Sequence, residues 1–157
     1  EFRRVLFRSN STAKRVYNYH PKNRSELVDL LLKLYEERGE NADLNDIDVT
    51  KVTDMNALFY EGFRQQCKNI DISEWDVSNV TDMNSMFYKC GVFNCDLSKW
   101  DVSNVTDFRH MFEYCRCFDL NSVNYWNVTE HSKKKEMFHG TVKGDIPDWW
   151  YHTSNTK

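Results

Sequence analysis

The chain has 157 residues, a formal net charge of −3, 40% hydrophobic residues and 15% aromatic residues. This composition argues against disorder and fits about one domain, and no apolar run approaches the roughly 18 residues that would predict a membrane-spanning helix. No basic block offers an electrostatic footprint for nucleic acid or for an anionic membrane, so neither is expected as a partner.

Glu1 to Ser9, EFRRVLFRS, resembles the translation of a sequencing-library adapter and is set apart from the fold as an artefact. Removing it takes away three Arg and one Glu, so the remainder is more acidic than the formal charge states. Lys14 to His20, KRVYNYH, alternates enough to predict a short strand, with Pro21 marking the turn after it. The stretch KNRSELVDLLLKLYEERGE then predicts the one long helix, with Asn23 as N-cap, Glu26 as its capping-box partner and Gly39 as the stop. Leu27, Leu30, Leu31, Leu34 and Tyr35 fall on one face and need a core to cover them.

Beyond Gly39 the chain repeats itself. WDVSNVTDM, from Trp75 to Met83, returns as WDVSNVTDF from Trp100 to Phe108, and Trp126 comes 26 residues after Trp100. Met86-Phe87 recurs as Met111-Phe112 and Met137-Phe138, with Leu58-Phe59 ahead of them, which makes about four units. The first unit, Ile47 to Phe59, carries Ile where later ones carry Trp, and its extra residues fall in YEGFRQQCKN. Within a unit, Asp71 to Trp75 predicts a short strand, and Val77 and Val80 point inward. Thr81, Asp82, Met83, Met86 and Phe87 predict a short helix or helical turn with Thr81 as N-cap. GDIPDWWYH, from Gly144 to His152, predicts a last partial coil in which Trp149 and Trp150 cover the open end of the core. The division expected is an artefact at 1–9, a strand and helix cap at 10–42, repeats at 43–140, and a C-terminal cap and tail at 141–157.

The repetition lines up side chains with chemistry. Asn79 and Asn104 share one position and are expected to bond the neighbouring coil's backbone, while their N-V-T sequons, and that at Asn127, arise from the repeat itself. Asp76 and Asp101, Asp82 and Asp107, and Asp71 and Asp96 form three acidic rows. These are expected to bond local amides or charge helix starts, with a calcium-binding face as the alternative. Cys67, Cys90, Cys95, Cys115 and Cys117 form an odd set without CxxC, for which packing is expected over disulfide or zinc, and Cys90 and Cys115 should stack as a buried thiol ladder. His20, His110, His131, His139 and His152 occupy unrelated positions, and no phosphate loop, HExxH, GxSxG or supported Cys-His dyad occurs, so no catalytic residue, metal site or cofactor is expected.

FNCDLSKWDVSNVTDFRHMF, Phe93 to Phe112, closely resembles the repeat of the BspA-like surface proteins, a family related to leucine-rich repeats and long called a mycoplasma-type domain of unknown function. The resemblance runs from about Asp43 to Phe138, and YHPKNRSELVDLLLKLYEERG looks like the helical cap that precedes such repeats. Lys51, Glu130 and the segment His131 to Lys134 depart from the pattern. The family implies an α/β fold, a leucine-rich-repeat-like solenoid of about four short strand-plus-helical-turn coils behind an N-terminal helical cap. It also implies a bacterial surface or phage-associated protein, at the cell surface or extracellular, whose role is non-enzymatic binding of a protein or cell-surface ligand, or adhesion. A structural spacer and a hydrolase acting on surface glycans through an acidic groove are the competing readings. The ligand contacts expected are the variable, solvent-facing Glu74, Asn84, Tyr88, Lys99 and Arg109.

Overall fold

A computed structural model describes residues 14–60 and 67–152. The segment set apart at 1–9 and most of the inserted stretch after Tyr60 lie outside the described residues. The first element among the described residues is helix α1 (Arg24–Arg38), whose start is fixed by the Asn23 side chain accepting from the Glu26 amide at 3.0 Å. Glu26 reaches back as expected, but accepts from the Lys22 amide at 2.8 Å rather than from Asn23. Gly39 closes the helix at φ 77°, with its amide donating to Tyr35 O at 2.8 Å. Leu27, Leu31 and Leu34 are fully buried, and Leu30 and Tyr35 pack at the margin of the same core. Arg38 ties the helix end to the first repeat through a bidentate pair with Asp46 at 2.7 and 2.9 Å. The strand expected from Lys14 to His20 does not form; Tyr19 makes only an isolated parallel bridge to Ile47.

Successive repeats lie on one another as layers, held by a backbone pattern that alternates residue by residue. Met83, Ser85, Phe87 and Lys89 donate their amides to Asp107, Arg109, Met111 and Glu113 carbonyls of the next layer at 2.9 to 3.0 Å. The amides between them turn back on their own layer, Met86 to Met83 O at 3.2 Å, Tyr88 to Ser85 O at 3.0 Å and Cys90 to Phe87 O at 2.9 Å. The alternation requires left-handed backbone at fixed places: Ala57, Ser85, His110 and Glu136 at φ 50, 56, 59 and 57°, and Lys89, Tyr114 and Gly140 at 59, 61 and 72°.

This overturns the expected leucine-rich-repeat-like α/β solenoid of strand-plus-helical-turn coils. The fully described helices are α1, α2 (Asp148–His152) and a 3-10 turn at Leu120–Val123, and parallel pairing is confined to isolated bridges such as Asp54 to Asp82 and Asp82 to Asp107. Asp71 to Trp75 and Thr81 to Cys90, expected as strand and helix, are isolated bridges and turns. An α-helix needs each amide to reach four residues back. Here alternate amides are committed to the next layer, and residues at positive φ interrupt both helix and strand. The apolar spacing of Met83, Met86 and Phe87 does mark one buried face, since all three are fully buried, but turns three residues long produce that spacing as well as a helix does.

The layers enclose a continuous apolar core. Phe59, Phe87, Phe112 and Phe138 stack at ring-centroid distances of 5.1, 5.5 and 6.1 Å, nearly parallel. Phe93 and Phe118 form a second column 4.1 Å from Phe87 and Phe112 respectively. The tryptophans also register: Trp100 and Trp126 stack at 6.4 Å and 6°. Trp75, Trp100, Trp126 and Trp149 donate Nε1–H to Leu44, Ile72, Leu97 and Val123 carbonyls at 2.9, 3.1, 3.0 and 2.8 Å. The segment after Gly144 forms α2, and its Trp149 and Trp150 lie 5.9 and 5.2 Å from Phe138, over the end of the phenylalanine column.

Three substitutions at two positions report on stability, all read from urea midpoints. Trp100→Phe removes the indole N–H from the buried Ile72 carbonyl, which keeps the Trp75 amide as a donor at 3.1 Å, and lowers stability by about 1 kcal/mol. Ala57, whose methyl makes no polar contact, separates backbone strain from packing. Ala57→Gly relieves a left-handed alanine and raises stability by about 0.5 kcal/mol after the entropy of glycine, whereas the β-branched Ala57→Val lowers it by about 2 kcal/mol or more.

Candidate binding surface

The surface is built by short polar turns between buried positions. In each layer an Asp carboxylate accepts from the amide two residues on: Asp71 from Ser73 at 3.0 Å, Asp76 from Ser78 at 3.1 Å, Asp82 from Asn84 at 2.8 Å, and Asp96, Asp101 and Asp107 likewise at 2.9, 3.0 and 3.1 Å. The acidic rows therefore lock turns, and Asp82 does so without a helix behind it. Among the described residues no three His, Cys, Asp or Glu side chains converge as a metal ion would need. Asn79 and Asn104 donate their side-chain amides to Thr50 O and Ser78 O of the preceding layer at 2.9 and 2.7 Å, the backbone-bonding role expected of them.

The thiols of Cys90 and Cys115 are buried and unpaired by disulfides, and each points at a carbonyl of the layer before, Phe59 O at 3.7 Å and Phe87 O at 2.8 Å. Contact with Cys67 and burial push the Cys90 thiol up, and burial pushes Cys115 up and Cys95 up to about 12. Thiols held protonated in this way are poor nucleophiles and poor metal ligands.

The five expected contact residues separate into three groups. Glu74 and Lys99 meet on adjacent layers as an ion pair, and Arg15 joins them, 2.7 Å from Glu74. The Lys99 hydrogen bond, helped by Arg15 and opposed by burial, holds the Glu74 carboxyl below its usual range. Asn84 and Arg109 meet around Asp107, Arg109 through Nη2 at 2.6 Å and Asn84 through Nδ2 at 3.5 Å. Burial disfavours the Asp107 charge, but the Arg109 hydrogen bonds outweigh it and lower that carboxyl's pKa. Both groups direct their charge at neighbours within the protein.

Tyr88 belongs to a different feature. Its ring stands 5.0 Å from Tyr60 and 6.4 Å from Tyr114, and Tyr114 meets the His139 ring edge-on at 5.3 Å, so four rings run along the stack across four layers. Lys89 Nζ lies 5.0 Å from the Tyr88 ring centre, over its face. Lys89, Gly91, Tyr114 and Arg116 line a shallow open depression of about 480 Å³. The three tyrosines are half-buried while Lys89 and Arg116 are exposed. The neighbouring acid, Glu113, is engaged by His110 at 2.6 Å. This row offers aromatic faces beside two exposed cations, suited to a ligand with planar or apolar groups and negative charge. Sequence reading finds Tyr88 but misses its partners, because the residue in register with Tyr88 is Glu113 and Tyr114 sits one place further along. Only the left-handed backbone at Tyr114 brings that ring into the row, over Gly140, where an added Cβ would meet the Tyr114 ring at 2.6 Å.

The model of one family, described as Mycoplasma protein of unknown function, DUF285, matches residues 30–149. The chain belongs to that family. The matched span starts within α1 and runs through all the stacked layers to Trp149, so the layered architecture above is the family's region of this chain. No curated protein and no solved structure matches the chain. Among the described residues no helix is long and apolar enough to cross a membrane.

The acidic rows supply a pH-dependent outcome. Burial first, then the like charges of Asp107 and Asp54, raise the Asp82 carboxyl above its usual range. A carboxyl whose folded pKa is raised favours the folded state while protonated, and that contribution is lost as pH climbs through the folded value, which lies above the ordinary carboxylate range. Asp82→Asn keeps an acceptor for the Asn84 amide without the charge. It is therefore expected to raise the melting temperature at pH 7, by less than about 1 kcal/mol equivalent because the site is partly screened by solvent, and the gain should fade below about pH 4.

Proposed function

We propose that this chain is a non-enzymatic binding module that engages a protein or cell-surface ligand through the Tyr60–Tyr88–Tyr114–His139 row and its flanking Lys89 and Arg116. The observation that carries this reading is the row itself, with aromatic side chains left half-exposed in a column while the phenylalanine columns beside it are buried. Placement at a bacterial surface, or in a phage-associated protein, rests on the resemblance of the repeats to the BspA-like proteins. Two features favour binding over catalysis: the Asp carboxylates that an acidic groove would need are engaged in local turns, and the buried Cys90, Cys95 and Cys115 thiols are held protonated.

Of the residues singled out from sequence, Tyr88 is retained as a ligand contact, whereas Glu74, Lys99 and Asn84 are assigned to bracing adjacent layers and Arg109 to holding Asp107 within its own turn. A spacer role is the second reading, favoured by that bracing. The two are separated by surface plasmon resonance of the chain against immobilised cell-surface glycoproteins and extracellular-matrix proteins. The binding reading expects saturable binding that falls at least tenfold, about 1.4 kcal/mol, in Tyr88→Ala/Arg116→Glu with an unchanged melting temperature. Absence of binding across the panel, or binding indifferent to that variant, would favour the spacer.

A further inference from the structure

Each inner layer gives the same backbone amides to the layer after it. Ala57, Ser85 and His110 donate to Asn84, Arg109 and Lys135 carbonyls at 2.8, 2.9 and 3.1 Å, and Phe59, Phe87 and Phe112 donate to Met86, Met111 and Met137 carbonyls at 3.0 Å each. Lys89 and Tyr114 donate to Glu113 and His139 carbonyls at 2.9 and 2.7 Å. The last layer puts Glu136, Phe138 and Gly140 at these three positions, with Glu136 and Gly140 in the same left-handed conformation, φ 57 and 72°, as their counterparts below. The geometry that aims the amides along the stack is thus kept, yet among the described residues the three amides meet no acceptor. Helix α2, rather than another layer, stands beyond them. It sets Trp149 and Trp150 against the Phe138 ring and leaves an open groove of about 320 Å³ between residues 135–139 and the Ile146 and Trp150 side chains.

An edge of unpaired amides is a template for another chain. Three donors on alternate residues, all facing one way, match the alternate carbonyls of a polypeptide, since that is what each inner layer presents to the same positions. A small anion would satisfy only neighbouring amides. The charge at this edge also changes sign: the bridged column Asp54, Asp82, Asp107 ends in Lys133, and Lys135 stands exposed beside the row. Glu136, the acid within it, is engaged by His139 at 3.3 Å. A second copy of this chain cannot supply the missing carbonyls from its first layer, because α1 covers that end with Leu27, Leu31 and Leu34 and its Arg24 donates to Asn56 O.

We propose that the C-terminal edge of the stack captures an extended, acidic segment of a partner polypeptide by main-chain pairing, its alternate carbonyls accepting from the Glu136, Phe138 and Gly140 amides and its acidic side chains lying against Lys133 and Lys135. This site is separate from the tyrosine row and stands or falls without it.

Nuclear magnetic resonance on the isotope-labelled full chain tests it in two steps. In the free protein, the Glu136, Phe138 and Gly140 amides exchange with solvent at least about tenfold faster than those of Ser85, Phe87 and Lys89, because only the latter are covered by a further layer. On titration with an acetylated octapeptide alternating Asp and Val, the same three amides shift saturably and their exchange slows by about fivefold or more. Lys135→Glu, checked for fold by its dispersed spectrum, weakens the interaction by about fivefold or more, while Tyr88→Ala leaves it unchanged. Equal protection of last-layer and inner amides in the free protein would overturn the proposal. So would peptide-induced shifts confined to other surfaces, or equal affinity for a peptide alternating Lys and Val.

Discussion

The structure depends on how backbone amides are divided between a layer and the one after it. Every second amide from Met83 to Lys89 crosses to the next layer, and the intervening ones close turns within their own. A buried amide left without a partner costs about 1–3 kcal/mol, so this division sets the register of everything attached to it. It also dictates the left-handed residues, which cost about 1–2 kcal/mol each in isolation and persist because hydrogen bonds on both sides hold them. With the register fixed, phenylalanines, tryptophans and cysteines stand in columns, and each layer buries a face that it could not bury alone.

The polar side chains serve the same division. Asp residues at recurring places accept from amides two positions on, so the turns close without waters or neighbours. Stacking them brings like-charge repulsion, visible where Asp82 lies between Asp54 and Asp107. The column is relieved where Arg109 clasps Asp107 and where Lys133 takes the next place. Arg38 with Asp46, and Arg15 with Glu74 and Lys99, add ion pairs ahead of Ile47, Trp75 and Trp100. Surface charges that read as ligand contacts in a linear sequence are thus largely occupied in joining layers.

What remains for recognition is what the scaffold leaves exposed at its surface. The tyrosine row presents rings on rigid backbone, which spares a ligand the cost of ordering loops on binding. Membership of a family whose description assigns no function makes these features, rather than analogy, the basis of the functional reading.

Much is legible in the sequence because it depends on residue identity alone: α1 from its cap, stripe and terminal glycine, the repeat length, the buried Met and Phe positions, the Asn79 and Asn104 bonds, and the buried cysteines. Apolar spacing states which residues are buried, and burial is what Met83, Met86 and Phe87 share. It does not state where the amides go, since turns of three residues and a helix bury the same set. The bridges and turns that stand at 71–75 and 81–90 in place of a strand and a helix, the meeting of Tyr114 with Tyr88, and the pairing of Glu74 with Lys99 were decided by tertiary structure. Each depends on hydrogen bonds or contacts between residues some 25 positions apart, and that partner exists only once the next layer is in place.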